Sequence, residues 1–391
     1  MDVFEAGVKF DDDRRWMNAW KLGCLACGRE SDPDGRIYRC ACGGVLDIEM
    51  VLPPELRKNL GREESLWRYR AAIPVNDESA IVTLGEGLTP LIEVELDGKA
   101  LLFKLEYRAP TGSFKDRGAS VLLSRLKEMK IDEILEDSSG NAGCSIAAYA
   151  AAAGIRCRVL VPEEVAPEKA VQIKSYGAIL ERVPGSREEV AAEALRRSGE
   201  TFYASHSWQP FFLQGTKTFA YEIFEQADPL PDAIFFPVGN GTLLLGAFKG
   251  FRELLTLGLV AKSPRLIAVQ AASHDPVYAR LTGRDPESAK DVHQTIAKGI
   301  AVRRPVRLEQ IVEAIRVTEG AAVTVRDDEI RDAQRLLARH GLLVEPTSAA
   351  ALAGYRVWER THGGEGLKVL LPLTGSGVKD LASFEGLDDR G

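Results

Sequence analysis

From about residue 100 onward, short apolar segments alternate with alanine- and leucine-rich segments of helical periodicity. The apolar segments are residues 101–105, 134–137, 159–162, 179–183, 234–238, 266–270 and 369–373. The helical segments include 142–153, 188–197, 328–339 and 348–358. This alternation predicts an α/β fold of doubly wound parallel sheets, with helices on both faces. Such sheets bind ligands at the carboxyl ends of their strands, so the loops after the strands are the first places to search for a site.

The first glycine-marked loop, residues 110–118, carries a lysine just before a predicted helix over 119–129. Ser113 and Asp116 have the spacing of a capping box, which predicts that Lys115 lies in the first helical turn. The positive end of the helix dipole disfavours an ammonium there and favours the neutral amine that a Schiff-base lysine requires. The alternative is a solvated surface lysine beside Asp116, and Lys115 considered by itself is better explained in that way.

The second loop, residues 137–143, follows a predicted strand and opens the next helix. Backbone N–H groups at that helix start suit a carboxylate, and the Asn141 amide could donate a hydrogen bond to a phenolate oxygen. The alternative is a plain helix N-cap, which is the commoner meaning of such a sequence.

The third loop, residues 237–243, also follows a strand and opens a helix, and it fits a phosphate held by backbone N–H groups and the Thr242 hydroxyl. It is not a Walker loop, because Gly246 is followed by Ala-Phe. It is not a Rossmann fingerprint either, because Leu244 occupies the place of the last glycine. After the last strand, Thr374 is expected to present its hydroxyl to the same crevice.

Four of the six cysteines lie within residues 24–42: Cys24, Cys27, Cys40 and Cys42. Their clustering, with glycine at the turns, predicts a zinc ribbon rather than a disulfide scaffold. Because all four ligands come from the protein, such a zinc ion would be structural. The second knuckle is Cys-x-Cys and not Cys-x-x-Cys, so the alternative is a ribbon of reduced cysteines without metal.

Composition excludes several classes of function. The net charge is −7 and no basic block stands out, which argues against binding to nucleic acid. The apolar runs are far too short to span a bilayer, and residues 1–21 are polar with an acidic run, unlike a signal peptide. We therefore expect a cytoplasmic protein with no membrane partner.

Together the loops offer a reactive lysine, a phosphate cradle, an amide for a phenolate and a hydroxyl for a ring nitrogen, which are the requirements of pyridoxal 5′-phosphate. The segments involved are 84–91, 113–118, 139–141, 239–241 and 373–380. In order and spacing they resemble the motifs of the fold-type II pyridoxal-phosphate enzymes, the tryptophan synthase β family, and within it the threonine synthases. The resemblance covers about residues 66–380.

The resemblance implies a role for each matching residue. Lys115 would be the catalytic residue and form the Schiff base, Asn141 would bind the ring oxygen, and Thr374 would meet the pyridine nitrogen. The cofactor phosphate would be held by Gly239, Asn240, Gly241, Thr242 and Leu243. The substrate carboxylate would be bound by Ser138, Ser139 and Ala142. The family also implies a homodimer and a division into a ribbon at 21–48, a large domain at 51–112 and 213–391, and a small domain at 113–212.

The implied reaction converts O-phospho-L-homoserine and water into L-threonine and phosphate. Two positions depart from the family: Phe212 stands where an arginine usually binds the substrate phosphate, and Ala109 replaces an asparagine. Segments 295–302 and 344–348 also resemble threonine and serine dehydratases. The alternatives are therefore a dehydratase-like ammonia-lyase or another β-replacement enzyme on this fold, and, in a different class, a regulatory protein that has lost catalysis.

Overall fold

A computed structural model of the chain describes residues 20–33, 35–52, 63–163, 167–285, 295–363 and 366–385. The strands are β1 (Trp20–Cys24), β2 (Glu30–Ser31), β3 (Leu46–Met50), β4 (Leu91–Leu96), β5 (Lys99–Lys104), β6 (Glu133–Glu136), β7 (Arg156–Pro162), β8 (Ile179–Val183), β9 (Phe202–Tyr203), β10 (Ala233–Pro237), β11 (Arg265–Ala271), β12 (Ala321–Val325) and β13 (Val369–Pro372). The helices are α1 (Lys115–Glu128), α2 (Asn141–Ala153), α3 (Pro167–Ser175), α4 (Arg187–Arg197), α5 (Pro210–Thr216), α6 (Thr218–Gln226), α7 (Thr242–Thr256), α8 (Pro276–Thr282), α9 (Leu308–Val317), α10 (Asp327–Arg339) and α11 (Pro346–His362). Short 3₁₀ segments connect several of them.

The largest sheet has the strand order β12-β11-β10-β13-β5-β4. All its neighbours pair in parallel except the edge strand β4, which pairs with β5 in an antiparallel hairpin. On β10, Phe235 packs into one buried cluster while Ile234 and Phe236 pack into another on the opposite face. Because side chains alternate along a strand, this division means that helices cover both faces of the sheet.

The second sheet is entirely parallel, in the order β8-β7-β6-β9. Val159 and Val161 of β7 pack on one face, towards α2, and Leu160 packs on the other face with residues of α4. A sheet buried on both sides needs continuous apolar strands, and β7 supplies such a run after Arg158. The prediction of an α/β fold with doubly wound parallel sheets is therefore confirmed.

A third, antiparallel sheet, β2-β1-β3, belongs to the cysteine-rich segment. Leu22, Leu46 and Ile48 are buried in the same apolar cluster as residues of α1 and α2. Trp20 meets Phe211 of α5 edge to face, with 5.6 Å between the ring centres. The ribbon is thus packed against the rest of the protein and shares its core.

The predicted parallel strands all form, but β4 and β12 were not predicted from the sequence. Two exposed glutamates interrupt the apolar pattern of β4, and β12 has small residues and a threonine in place of a bulky apolar run. The predicted capping box is wrong. Helix α1 does begin at Lys115, yet its start has no side-chain cap. Asp116 instead accepts hydrogen bonds from the Thr111 amide and hydroxyl, both at 2.6 Å. No helix within the described ranges is long and apolar enough to cross a membrane.

Candidate active site

Lys115 is the first residue of α1, and its side chain extends towards the first residue of α7. The distance from Lys115 Nζ to Thr242 Oγ1 is 3.3 Å. Nζ also lies 4.5 Å from the centre of the Phe114 ring and 5.8 Å from that of Phe212. The structure thereby joins the first and third loops, which are separated by more than 120 residues in the sequence.

The surroundings of Lys115 favour the neutral amine. The residue is half-buried, and burial of the side chain lowers the pKa of Lys115 to about 8, against the opposing pull of the Glu136 and Glu345 carboxylates. At pH 7.5 an amine with a pKa of about 8 is roughly one quarter neutral, whereas an ordinary lysine is about 0.1% neutral. The predicted nucleophilic amine is therefore consistent with the structure, but the main cause is burial and not the helix dipole.

The Glu345 carboxylate links the second loop to the segment that follows the last strand, β13. Asn141 Nδ2 donates a hydrogen bond to Glu345 Oε1 at 2.9 Å, and Asn141 Oδ1 has no partner among the described residues. Glu345 is buried at the start of α11 and lies against Gly375, where any side chain would collide with the carboxylate. Glu345 was missed as a site residue. Its sequence signal is weak, because 204 positions separate it from Asn141.

The third loop forms a turn that ends in the first turn of α7. Gly241 has φ of +71°, a left-handed conformation that suits glycine, and Thr242 then begins a helix of 15 residues. The first-turn N–H groups of a helix have no partner within the helix, and they carry partial positive charge. All five residues that are predicted to bind the phosphate belong to one turn, called the phosphate turn below: Gly239, Asn240, Gly241, Thr242 and Leu243.

Thr374 lies directly after β13, beside the start of α1. It is buried, and its backbone carbonyl accepts a hydrogen bond from the Phe114 amide at 3.1 Å. Its hydroxyl has no hydrogen-bond partner in the part of the chain that the structure describes, and neither does that of Ser113. A buried hydroxyl without a partner is costly, so Thr374 Oγ1 indicates a group that a ligand is expected to satisfy.

A histidine and a glutamate that the sequence reading treated as unremarkable also lie at the site. His206 Nδ1 is 2.9 Å from Glu136 Oε1, and His206 Nε2 is 3.4 Å from Asn240 Nδ2 of the phosphate turn. Burial raises the pKa of Glu136 well above its usual value, and burial together with Lys115 lowers that of His206. Both shifts favour the neutral forms of these side chains. The available signal was Glu136 itself, a charged residue at the end of an apolar strand just before a predicted site loop.

The predicted carboxylate site forms the turn between β6 and α2. The Gly140 amide donates to Ser138 Oγ at 3.3 Å, and Ser138 and Ser139 are half-buried while Ala142 is buried. Asp137, at the start of the same turn, pairs with Arg187 of α4 at 2.8 Å. The second loop thus offers backbone N–H groups and hydroxyls, with an arginine close behind it.

The four ribbon cysteines converge. Their Sγ atoms all lie within 4.8 Å of one another, with Cys24 to Cys42 at 3.5 Å and Cys27 to Cys40 at 3.7 Å. Four thiolates on a tetrahedral zinc ion with bonds of about 2.3 Å are separated by about 3.8 Å. The quartet therefore has nearly the spacing that zinc requires.

Comparison with known proteins agrees with this geometry. Residues 82–375 match the family model described as pyridoxal-phosphate dependent enzyme. The chain is 38% identical to a threonine synthase of Methanocaldococcus jannaschii, over 91% of this chain and 92% of that protein. It is 36% identical to a threonine synthase of Methanosarcina acetivorans, over 86% of each. The chain belongs to the threonine synthase family of pyridoxal-phosphate-dependent enzymes. Among solved structures it resembles serine racemase from Dictyostelium discoideum, with a TM-score of 0.62 and 27% identity over 74% of this chain and 92% of that one.

Membership of this family explains the unusual features of the site. A pyridoxal-phosphate enzyme needs a lysine that can be neutral, an anion-binding turn and polar partners for the ring. Lys115, the turn before α7, the Asn141 amide nitrogen and the unpartnered hydroxyl of Thr374 offer these from separate loops. The described residues therefore fit the cofactor.

Proposed function

We propose that this threonine synthase family member converts O-phospho-L-homoserine and water into L-threonine and phosphate. The observation that carries the proposal is the half-buried Lys115, with its pKa lowered to about 8 and a phosphate-type turn 3.3 Å from its amine. The names of the curated relatives support the same reaction. In it, the bond between Cγ and the phosphate oxygen breaks, and the hydroxyl of water is added at Cβ.

The residues divide the work of holding the cofactor. Lys115 Nζ is proposed to bind its aldehyde covalently, the Asn141 amide its ring oxygen, and the first turn of α7 its phosphate. The Thr374 hydroxyl would meet the pyridine nitrogen and, unlike a carboxylate, would not hold that nitrogen protonated. When bound, the cofactor supplies an electron sink that stabilises negative charge on the substrate carbons. Glu345 is proposed to orient the Asn141 amide through their 2.9 Å hydrogen bond.

Lys115 is also the group placed to move protons. Once released by the substrate amine, a neutral Lys115 can accept protons from Cα and Cβ and later return protons to Cγ and Cα, because an amine with a pKa near neutrality serves as both base and acid. Ser138, Ser139 and Ala142 are proposed to hold the substrate carboxylate at the start of α2.

The substrate phosphate needs positive charge that Phe212 cannot supply. We propose that Arg187 and His206 contribute it, because Arg187 lies behind the carboxylate turn and His206 contacts Asn240 of the phosphate turn. A phosphate dianion beside His206 would favour its protonated form, with Glu136 as the partner for the resulting charge. The alternative of an ammonia-lyase acting on 3-hydroxyamino acids is not favoured by the curated relatives.

The proposal includes one structural zinc ion bound by Cys24, Cys27, Cys40 and Cys42, for which the spacing of the quartet is the support. It also includes the division into a ribbon at 21–48, a small domain at 113–212 and a large domain built from 51–112 and 213–391. Membership of β6–β9 in one sheet and of β4, β5 and β10–β13 in another supports this division. A homodimer in the cytoplasm is proposed from the family resemblance alone.

Purified protein supplied with pyridoxal phosphate should be incubated separately with O-phosphohomoserine, threonine and serine. Phosphate release from the first, together with threonine formation, is the expected result, whereas 2-oxoacid from the other two would favour the ammonia-lyase. Lys115→Ala should abolish turnover and borohydride labelling, and Lys130→Ala, at an exposed lysine, is the matched control. Full activity in the Lys115 variant would refute the assignment.

A further inference from the structure

Arg307, which immediately precedes α9, is a buried arginine without a carboxylate partner among the described residues. Its Nε donates to the carbonyl of Ser207 at 2.9 Å. One terminal nitrogen, Nη2, donates to the carbonyls of Leu46 at 3.0 Å and Trp208 at 2.7 Å, and Nη1 donates to Gln310 Oε1 at 2.8 Å. Removal from water lowers the pKa of Arg307 to about 10. The side chain nevertheless remains a cation at neutral pH.

The three carbonyls come from two distant parts of the chain. Leu46 is the first residue of β3 in the ribbon, whereas Ser207 and Trp208 follow His206, whose ring contacts Asn240 in the phosphate turn. The guanidinium therefore joins the ribbon to the segment that carries a site histidine. Arginine suits this position because its planar fork can donate to several carbonyls at once, which a lysine ammonium at the end of a flexible stem does less well.

The ribbon contacts the same segment at a second point. The Tyr38 ring meets Trp208 edge to face, with 5.7 Å between ring centres, and it meets Tyr203 in the same way at 5.3 Å. Edge-to-face contacts of this kind add stabilisation beyond the apolar area that they bury. The segment from Tyr203 to Trp208 is thus held from the ribbon side both by aromatic contacts and by the arginine.

We propose that the ribbon is part of the support of the active site, and that Arg307 is a positioning residue which holds Ser207 and Trp208 so that His206 faces Asn240. In this proposal the ribbon supports the active site of its own chain. Loosening its attachment is expected to free the 205–209 segment while leaving Lys115 and the phosphate turn in place. The consequence for substrate affinity rests on the proposed function, but the local consequence does not.

Hydrogen–deuterium exchange of the cofactor-free protein tests the local consequence. Arg307→Lys keeps the positive charge but loses the fork, and Arg280→Lys is its control, because Arg280 forms an exposed pair with Glu309. We expect amides in 205–209 to exchange about tenfold faster in Arg307→Lys, with no change at α7. Tenfold corresponds to about 1.4 kcal/mol in local opening. No change in 205–209, or equal acceleration throughout the chain, would overturn the proposal.

A second pair of variants changes the ribbon side of the same contact. These variants test whether the ribbon holds the 205–209 segment even if Arg307→Lys does not fold. Tyr38→Ala removes the ring at a half-buried position and should accelerate the same amides, whereas Tyr38→Phe keeps the ring and should restore the wild-type rate. In the holoenzyme, Tyr38→Ala should raise the KM for O-phosphohomoserine several-fold with a smaller change in kcat. An unchanged KM beside faster exchange would refute the link to substrate binding. A wild-type protein that does not act on this substrate would refute the proposed function, with the exchange result standing by itself.

Discussion

Replacing Lys115 with methionine is expected to stabilise the cofactor-free protein, although it removes the residue on which the proposed chemistry depends. Among the described residues, the Lys115 ammonium has one hydrogen bond, a long one of 3.3 Å to the Thr242 hydroxyl, and the rings of Phe114 and Phe212 lie near it. A fall of the pKa from 10.5 in the unfolded chain to about 8 corresponds to about 3 kcal/mol of destabilisation at pH 7. Because the residue is only half-buried, solvent screening reduces the expected gain from methionine to about 2 kcal/mol.

The difference in stability between the wild type and Lys115→Met depends on pH because the pKa of Lys115 is lowered in the folded protein. Below about pH 8 Lys115 is protonated in both folded and unfolded chains, so the cost of the buried charge is present in full. Between about pH 8 and 10.5 the unfolded chain binds more protons than the folded one, and the wild type gains stability relative to the methionine variant as pH rises. The difference between the two proteins should therefore be largest near pH 7, fall to about a quarter of that value near pH 10 and be nearly absent above about pH 11.

Lys104→Met is the control, because it is expected to lower the stability of the protein where Lys115→Met raises it. Lys104 is completely buried, but its ammonium donates to the Thr89 carbonyl at 2.6 Å, to Glu222 at 2.6 Å and to Gln226 at 2.7 Å. Lys104→Met removes the cation from the Thr89 carbonyl and from Gln226, and it leaves Arg117 as the remaining ion-pair partner of Glu222. This change is expected to destabilise the protein by about 3 kcal/mol. Urea unfolding of cofactor-free wild type and both variants at pH 7 and 9 measures the differences. A Lys115→Met variant that is no more stable than wild type at pH 7 would contradict the claim that the site holds its lysine at a cost in stability.

Three further outcomes are expected. Thr374→Val, which removes an unpartnered hydroxyl, should leave the Tm of the cofactor-free protein unchanged or higher and raise the Kd for pyridoxal phosphate by roughly two- to tenfold. Thr318→Val removes a hydroxyl that donates to the Ala314 carbonyl at 2.8 Å, so calorimetry should show a lower Tm without weaker cofactor binding. The rate at which Lys115 captures the cofactor should rise with pH through about 8 as the amine loses its proton, and a rate in stopped-flow absorbance that stays flat from pH 6.5 to 9 would contradict the lowered pKa. Elemental analysis should find one zinc per chain, reduced in Cys27→Ser, and a wild type free of zinc would rule out the metal.

Much of the site was predictable because parallel sheets bind ligands at the carboxyl ends of their strands. The loops after β10 and β13, which are neighbours in one sheet, and the loop after β6 in the other sheet each begin with small or polar residues immediately after an apolar run. Glu345 was not predictable in the same way, since its importance depends on contact with Asn141, which follows a strand of the other sheet, and with Gly375. Arg307 gave no local signal at all, because its partners are backbone carbonyls, which every residue carries.

The order of apolar and helical segments determined by itself that this chain forms doubly wound parallel sheets, because alternation of strand and helix leaves few other ways to bury both kinds of element. It also placed Lys115 at a helix start and the cysteines in one cluster. Only the tertiary structure decided the chemistry of those groups. The pKa of Lys115 falls because distant segments surround it and exclude water. The Arg307 guanidinium hydrogen-bonds both to Leu46 of the ribbon and to the residues that follow His206. Burial and long-range contacts depend on the whole fold, so no local pattern in the sequence can specify them.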